Sequence, residues 1–121
     1  MLCLILHLQK LYFKRKVMLN KLELEKDYFD FLETNQYVGV YYSSHKCGVC
    51  NTMKPQVESV FENNNVKISE IVVNEHKELA SQQLIMTSPT VVFYENGKEL
   101  FRESGFIDLQ KINRNLGMIT S

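Results

Sequence analysis

Cys47-Gly48-Val49-Cys50 places two thiols three residues apart in this 121-residue chain, the spacing that carries chemistry most directly. If the segment opens a helix, Cys50 lies one turn beyond Cys47 and its sulfur can come within the tight distance a disulfide demands. A helix N-terminus offers unpaired N–H groups and the positive end of the dipole, which favour thiolate over thiol at Cys47. Lys46, and His45 when protonated, push the same way. Gly48 lets the backbone turn and leaves room for an incoming chain. Such a pair can attack a substrate disulfide with Cys47, form a mixed disulfide, and release product when Cys50 attacks back.

Two other readings of the pair stay open at this level. A structural zinc site takes about four ligands, and His7, His45, His76 and Cys3 could supplement the two cysteines only at no recognised spacing. Two inert core thiols are the other possibility, although a cysteine at a strand-to-helix corner is seldom fully buried. His45 reads as a solvated loop residue and His76 as the start of a helix, while Tyr41 and Tyr42 suit packing better than acid chemistry.

The elements that must position the pair follow from apolar spacing. A short strand over Met18–Leu22 leads to a helix over Glu25–Thr34, whose Tyr28, Phe31 and Leu32 share a face. Tyr37–Tyr42 reads as a buried central strand because β-branched and aromatic residues fill it. A long helix from Cys47 to Asn64 turns Met53, Val57, Val60 and Phe61 inward, with Pro55 predicting a kink. Val66–Val73 is a strand, and Glu75–Leu84 a helix with Leu79, Ala80 and Leu84 inward. Thr90–Tyr94 and Glu99–Glu103 flank Asn96-Gly97, a hairpin signal because both turn positions need positive φ. A last helix, Asp108–Asn115, buries Leu109, Ile112 and Leu116. The order β-α-β-α-β-α-β-β-α predicts an α/β fold, with helices on both faces of a central mixed sheet.

Composition narrows the function. Hydrophobic residues at 45% and charged residues at 23% are ordinary globular usage, which argues against disorder and repeats. Fourteen basic side chains balance fourteen acidic ones, so no net positive field favours a nucleic acid partner. Residues 1–17 read as an extension to one domain over 18–121, with Met18 as a candidate start. The alternative for this segment is a weak amphipathic anchor using Lys10, Lys14, Arg15 and Lys16. Its charges follow the apolar run, the wrong order for a secretion signal, and the run is too short for a membrane span. Without it, ten basic groups face fourteen acidic ones, a formal −4. Three cysteines are too few for a stapled secreted scaffold, and a cytoplasmic chain keeps such a pair for redox or metal chemistry.

Across 18–117 the sequence resembles the thioredoxin family. The Cys-x-x-Cys pair opens the long helix, Pro55 follows Cys50 by five residues, Ser88-Pro89-Thr90 matches the family's cis-proline loop, and Gly105 its glycine near the active site. The resemblance implies a thioredoxin fold, with Cys47 as exposed nucleophile and Cys50 as resolving thiol. It also implies a cis bond before Pro89 and a substrate surface of Gly48, Val49, Ser88, Pro89 and Gly105.

Departures are equally specific. The chain has no tryptophan, and Lys46 and Ser43 stand where the family carries two. Val49 replaces the proline between the cysteines, and Asn51 a common lysine. Tyr41 occupies the position of a buried aspartate thought to help deprotonate the resolving thiol, leaving Cys50 to water, a glutamate or nothing. The expectation is a cytoplasmic, monomeric disulfide reductase without metal or organic cofactor, drawing electrons from a separate reductase and acting on protein or low-molecular-weight-thiol disulfides. The rival is a thioredoxin-fold adaptor whose cysteines are retained without turnover.

Overall fold

The computed structural model describes residues 20–120. The extension over 1–17, Met18 as a start, the basic group, Cys3 and His7 lie outside the described residues, as do the first two positions of the expected first strand. Nine regular elements follow: β1 (Asn20–Lys21), α1 (Glu25–Thr34), β2 (Tyr37–Ser43), α2 (Gly48–Asn63), β3 (Lys67–Val72), α3 (Lys77–Gln82), β4 (Thr90–Glu95), β5 (Lys98–Ser104) and α4 (Leu109–Thr120). A single 3₁₀ turn, Val73–Glu75, precedes α3.

The sheet runs β1-β3-β2-β4-β5, with β1 and β2 parallel to β3, and β4 antiparallel to both β2 and β5. Moving from β1 to β2 and then back to β3 reverses the direction of travel across the sheet. Right-handed crossovers therefore put α1 and α2 on opposite faces. On one face Tyr28 and Leu32 of α1 and Leu79 of α3 pack over Val38, Val40, Tyr42, Ile71 and Val92. On the other, Val57 and Phe61 of α2 and Ile112 and Leu116 of α4 cover Tyr41, Val91 and Phe93. The period of two along β2 thus feeds both cores, which is why its sequence is continuously apolar.

Two local features matter below. A Cβ placed on Gly39 would stand 2.3 Å from Cε2 of Phe61, so only glycine lets that ring lie flat on β2. In the first core, the hydroxyls of Tyr28, Tyr42 and Tyr94 form a triangle with sides of 2.8, 3.2 and 3.4 Å. Burial first, then the neighbouring phenols, pushes the hydroxyls of Tyr42 and Tyr94 well above the usual tyrosine range.

Two expectations need correction. Leu84 does not face the core: it is 68% exposed with φ of +57°. The helix ends at Gln82, and Leu84 takes the left-handed position beyond it. The Ile85 N–H can then close on the Ala80 carbonyl at 2.9 Å, and Ile85 packs inward instead. The last helix extends to Thr120, carrying Gly117 inside it, because Leu116 and Ile119 continue its apolar face onto the core. Pro55 sits within α2 without breaking it.

Candidate active site

The turn from β2 into α2 is built by polar backbone contacts. Lys46 takes φ of +55°, so the chain reverses at Lys46, just before the helix, rather than at Gly48, which the sequence reading credits with letting the backbone turn. A Cβ on Gly48 would meet nothing within 4 Å, which leaves open space above the helix start. His45 is pinned from both ends: its N–H donates to Oδ1 of Asn74 at 2.8 Å, and its ring Nε2 lies 3.2 Å from Oε2 of Glu75. Lys21 reaches the same carboxylate oxygen at 3.0 Å. Hydrogen bonds from Lys21 and then His45 hold the Glu75 carboxyl below the usual carboxylate range.

Cys47 is the N-cap of α2. Its Sγ accepts the N–H of Cys50 at 3.1 Å, satisfying one of the helix's orphan donors, and its carbonyl accepts the first intrahelical bond, from the N–H of Asn51 at 3.2 Å. Cys47 and Cys50 are joined in a disulfide with Cα atoms 5.2 Å apart. Cys47 is half-buried, whereas Cys50 is 1% exposed. That burial corrects the expectation that a thiol at such a corner stays accessible: α2 turns Cys50 onto the sheet, where the Tyr41 hydroxyl donates to its carbonyl at 2.7 Å. Tyr41 packs, as its type suggested, and also holds the first turn of the helix.

The second half of the site comes from the loop that leads into β4, the strand beside β2, where Thr90 lies opposite Tyr42. The Ser88–Pro89 peptide bond is cis. Gly105, at φ of +71°, donates its N–H to the Pro89 carbonyl at 2.8 Å, tying the end of β5 to this loop. Thr90 Oγ1 closes the loop from within by donating to the Thr87 carbonyl at 2.7 Å. Ser88 Oγ lies 2.7 Å from Ser44 Oγ, so a side-chain hydrogen bond joins the proline loop to the segment leading into Cys47. Val49, Met86 and Phe106 stand exposed on the segments that carry these residues, Met86 and Phe106 at 89% each.

Sequence reasoning passed over Ser44, Lys54 and Glu70. Glu70 had a readable signal, because Val66, Ile68, Glu70 and Val72 share one parity of β3, and a carboxylate in that row points inward. It is 6% exposed; its Oε2 accepts from Ser43 Oγ at 2.7 Å and pairs with Lys54 Nζ at 2.8 Å. Among the described residues no group of three or more His, Cys, Asp or Glu is arranged to hold a metal ion, and no helix is long and apolar enough to cross a membrane.

Comparison with known proteins places this geometry. The family model described as Thioredoxin matches residues 19–117. A thioredoxin from Mycoplasmoides gallisepticum is 31% identical over 101 residues, covering 80% of this chain and 94% of that protein. NADPH-dependent thioredoxin reductase 3 from Arabidopsis thaliana is 35% identical over 81 residues, 65% of this chain but 15% of the reductase. Among solved structures, a point-mutant thioredoxin from Halobacterium salinarum superposes with a TM-score of 0.78 at 22% identity, covering 86% of this chain and 92% of that one.

Proposed function

The chain belongs to the thioredoxin family, its fold is the thioredoxin fold, and its disulfide-forming Cys47–Cys50 pair is that of a thiol–disulfide oxidoreductase; from this premise we propose that it works as a disulfide reductase. The reduced protein attacks a client disulfide with the Cys47 thiolate: one Cys47–client S–S bond forms, the client's own S–S bond breaks, and the displaced sulfur leaves as a thiolate. Cys50 then attacks Cys47, the client's second sulfur leaves, and two electrons have passed from the pair to the client. A separate reductase returns those electrons. The domain spans 18–121, acts as a monomer in the cytoplasm, and needs no metal or organic cofactor.

One observation carries this reading: the disulfide sits at the N-terminus of α2, with its half-buried sulfur toward solvent and the Ser88–Pro89 loop fastened beside it through Ser44. A thiolate formed there gains from the helix terminus, and Cys50, buried one turn on, is shielded from attack by outside thiols. The backbone of Ser88 pairs with the extended client, Gly48 and Val49 border the nucleophile, and Gly105 backs the loop. Clients are proteins or small-thiol mixed disulfides. The exposed Met86 and Phe106 favour polypeptides with apolar residues near the disulfide.

Equilibration in graded thiol/disulfide buffers, with the oxidised fraction read by alkylation mass shift, tests the proposal. A reversible two-electron transition near the ~−270 mV of cytosolic reductants supports it, whereas one near ~−120 mV marks an oxidase. In parallel, the Cys50→Ser variant should accumulate a client mixed disulfide on Cys47. Absence of an intramolecular disulfide at every poise overturns the reductase and leaves an adaptor.

A further inference from the structure

A charge beside a nucleophile sorts substrates only if nothing nearby cancels it, so the partners of each ionic group around Cys47 decide what the site prefers. The carboxylates that flank the site are engaged. Glu70 accepts from Ser43 and pairs with Lys54, while Glu75 pairs with Lys21 and lies against the His45 ring. Glu103, near the end of β5, pairs with Lys111 at 3.5 Å, and Asp108 Oδ1 accepts the Lys111 N–H at 3.1 Å. Lys46 is the opposite case: it is exposed, and its side chain makes no hydrogen bond or ion pair with any described residue. The first turn of α2 carries no acidic side chain, so the positive end of that 16-residue helix adds to the lysine instead of opposing it. A domain that is formally acidic over 18–121 therefore presents cationic character at its nucleophile.

The backbone under Lys46 is anchored on both sides. Asn74 holds the His45 N–H, Cys47 caps α2, and between them Lys46 takes its left-handed φ of +55°. The ammonium is thus tethered beside Cys47 on a flexible four-carbon stem, able to follow a client's charge without displacing the thiol. We propose that Lys46 is a specificity-determining residue: it pairs with a carboxylate that the client carries next to its disulfide, so that acidic clients are reduced in preference to neutral and basic ones. The proposal rests on the reductase reading above and leaves its bond changes untouched, the ammonium neither giving nor taking a proton. The exposed Val49, Met86 and Phe106 offer apolar contact whatever the client's charge, which leaves the charge to be read by Lys46.

The test uses the reduced protein and the symmetric disulfides of three short end-capped peptides, identical except for Glu, Gln or Lys immediately before the cysteine. Each rate of peptide reduction at pH 7 is divided by the rate with dithiothreitol, an uncharged dithiol, which removes the peptide's intrinsic reactivity. On that scale the wild type should reduce the Glu peptide about threefold faster than the Gln peptide and the Lys peptide about threefold slower, the size of an exposed ion pair. Raising the salt to about 1 M, which shortens the screening length from ~10 Å at 0.1 M to ~3 Å, should bring the three together. Lys46→Gln should abolish the ranking and Lys46→Glu reverse it. A lysine that served only the thiolate or the fold would instead scale all three rates alike. If Lys46→Gln does not fold, Lys46→Asn replaces it, because asparagine tolerates the left-handed backbone. Wild-type rates that rank as those of dithiothreitol do, or a ranking that survives loss of the lysine, overturn the proposal while leaving the reductase standing. A wild type that reduces none of the three peptides overturns the reductase reading itself, and the proposal with it.

Discussion

The hydroxyl triangle in the core makes stability depend on alkaline pH in a way that one substitution dissects. An unfolded phenol ionises from about pH 10, while Tyr42 and Tyr94 keep their protons in the folded protein because burial, then their neighbours, raise them. The folded state therefore binds more protons above that point. The raised values thus contribute stability that is fully present below the unfolded pKa and is lost as pH rises. Each such group lowers the unfolding free energy by up to about 1.4 kcal/mol per pH unit, and because an unfolded phenol is half ionised at pH 10 the two together remove about 2 kcal/mol between pH 10 and 11. Tyr42→Phe halves that slope. It also deprives Tyr94 of its 2.8 Å partner while leaving Tyr28 at 3.2 Å, a cost of about 1 kcal/mol at neutral pH. The oxidised variant should start below the oxidised wild type at pH 8 and meet it near pH 11. Urea denaturation at fixed pH steps measures both curves, and the same-sign contributions of Tyr41, raised by its burial, of Tyr37, raised by its Glu95 hydrogen bond, and of Lys21, raised by its Glu75 hydrogen bond, cancel between them. Parallel curves for wild type and Tyr42→Phe would refute the reasoning.

Two further perturbations address packing and the site. Gly39→Ala sets a methyl 2.3 Å from Phe61, which is fully buried, and should cost about 1–3 kcal/mol by thermal denaturation, with partial recovery when Phe61→Leu is added; an unchanged melting temperature would mean the ring is not seated there. Ser44→Ala and Ser88→Ala should be coupled, because each strands the other's hydroxyl: in a double-mutant cycle on the rate of client reduction the coupling should be about 1 kcal/mol, and strictly additive effects would show that the clasp does not position the proline loop.

What the sequence made legible was whatever is repeated along an element. The continuous apolar run of β2, the 3.6-residue spacing of α1 and α2, and the Asn96-Gly97 turn, with φ of +50° and +82°, each encode structure over several residues. The Cys-x-x-Cys pair was legible for the same reason, its type and its place at a strand-to-helix junction agreeing. Leu84 was misread because its spacing from Leu79 and Ala80 continues a helical face, whereas a cap formed by single backbone hydrogen bonds ends the helix two residues earlier. Read from the sequence, the last helix ends at Asn115, but Ile119 carries its apolar face onward through tertiary packing. Ser44 and Ser88 are 44 residues apart, and no local pattern announces that two serines meet. Lys54 and Glu70 pose the same difficulty across a strand–helix interface, although the parity of β3 hinted at one of them.

The outermost strand, β5, has a bearing on how the protein behaves in a crowded solution. A terminal strand leaves one row of N–H and C=O groups unpaired, an invitation to any other extended chain. Here that strand reads Lys98-Glu99-Leu100-Phe101-Arg102-Glu103-Ser104, and its pairing with β4 slips register at Phe93/Tyr94. A second copy adding its own β5 there would bring four ionic side chains per strand into an interface that water now occupies, against a ribbon that is locally bent. Sheet growth is thereby penalised at its open margin, against a second copy and against any other extended chain alike.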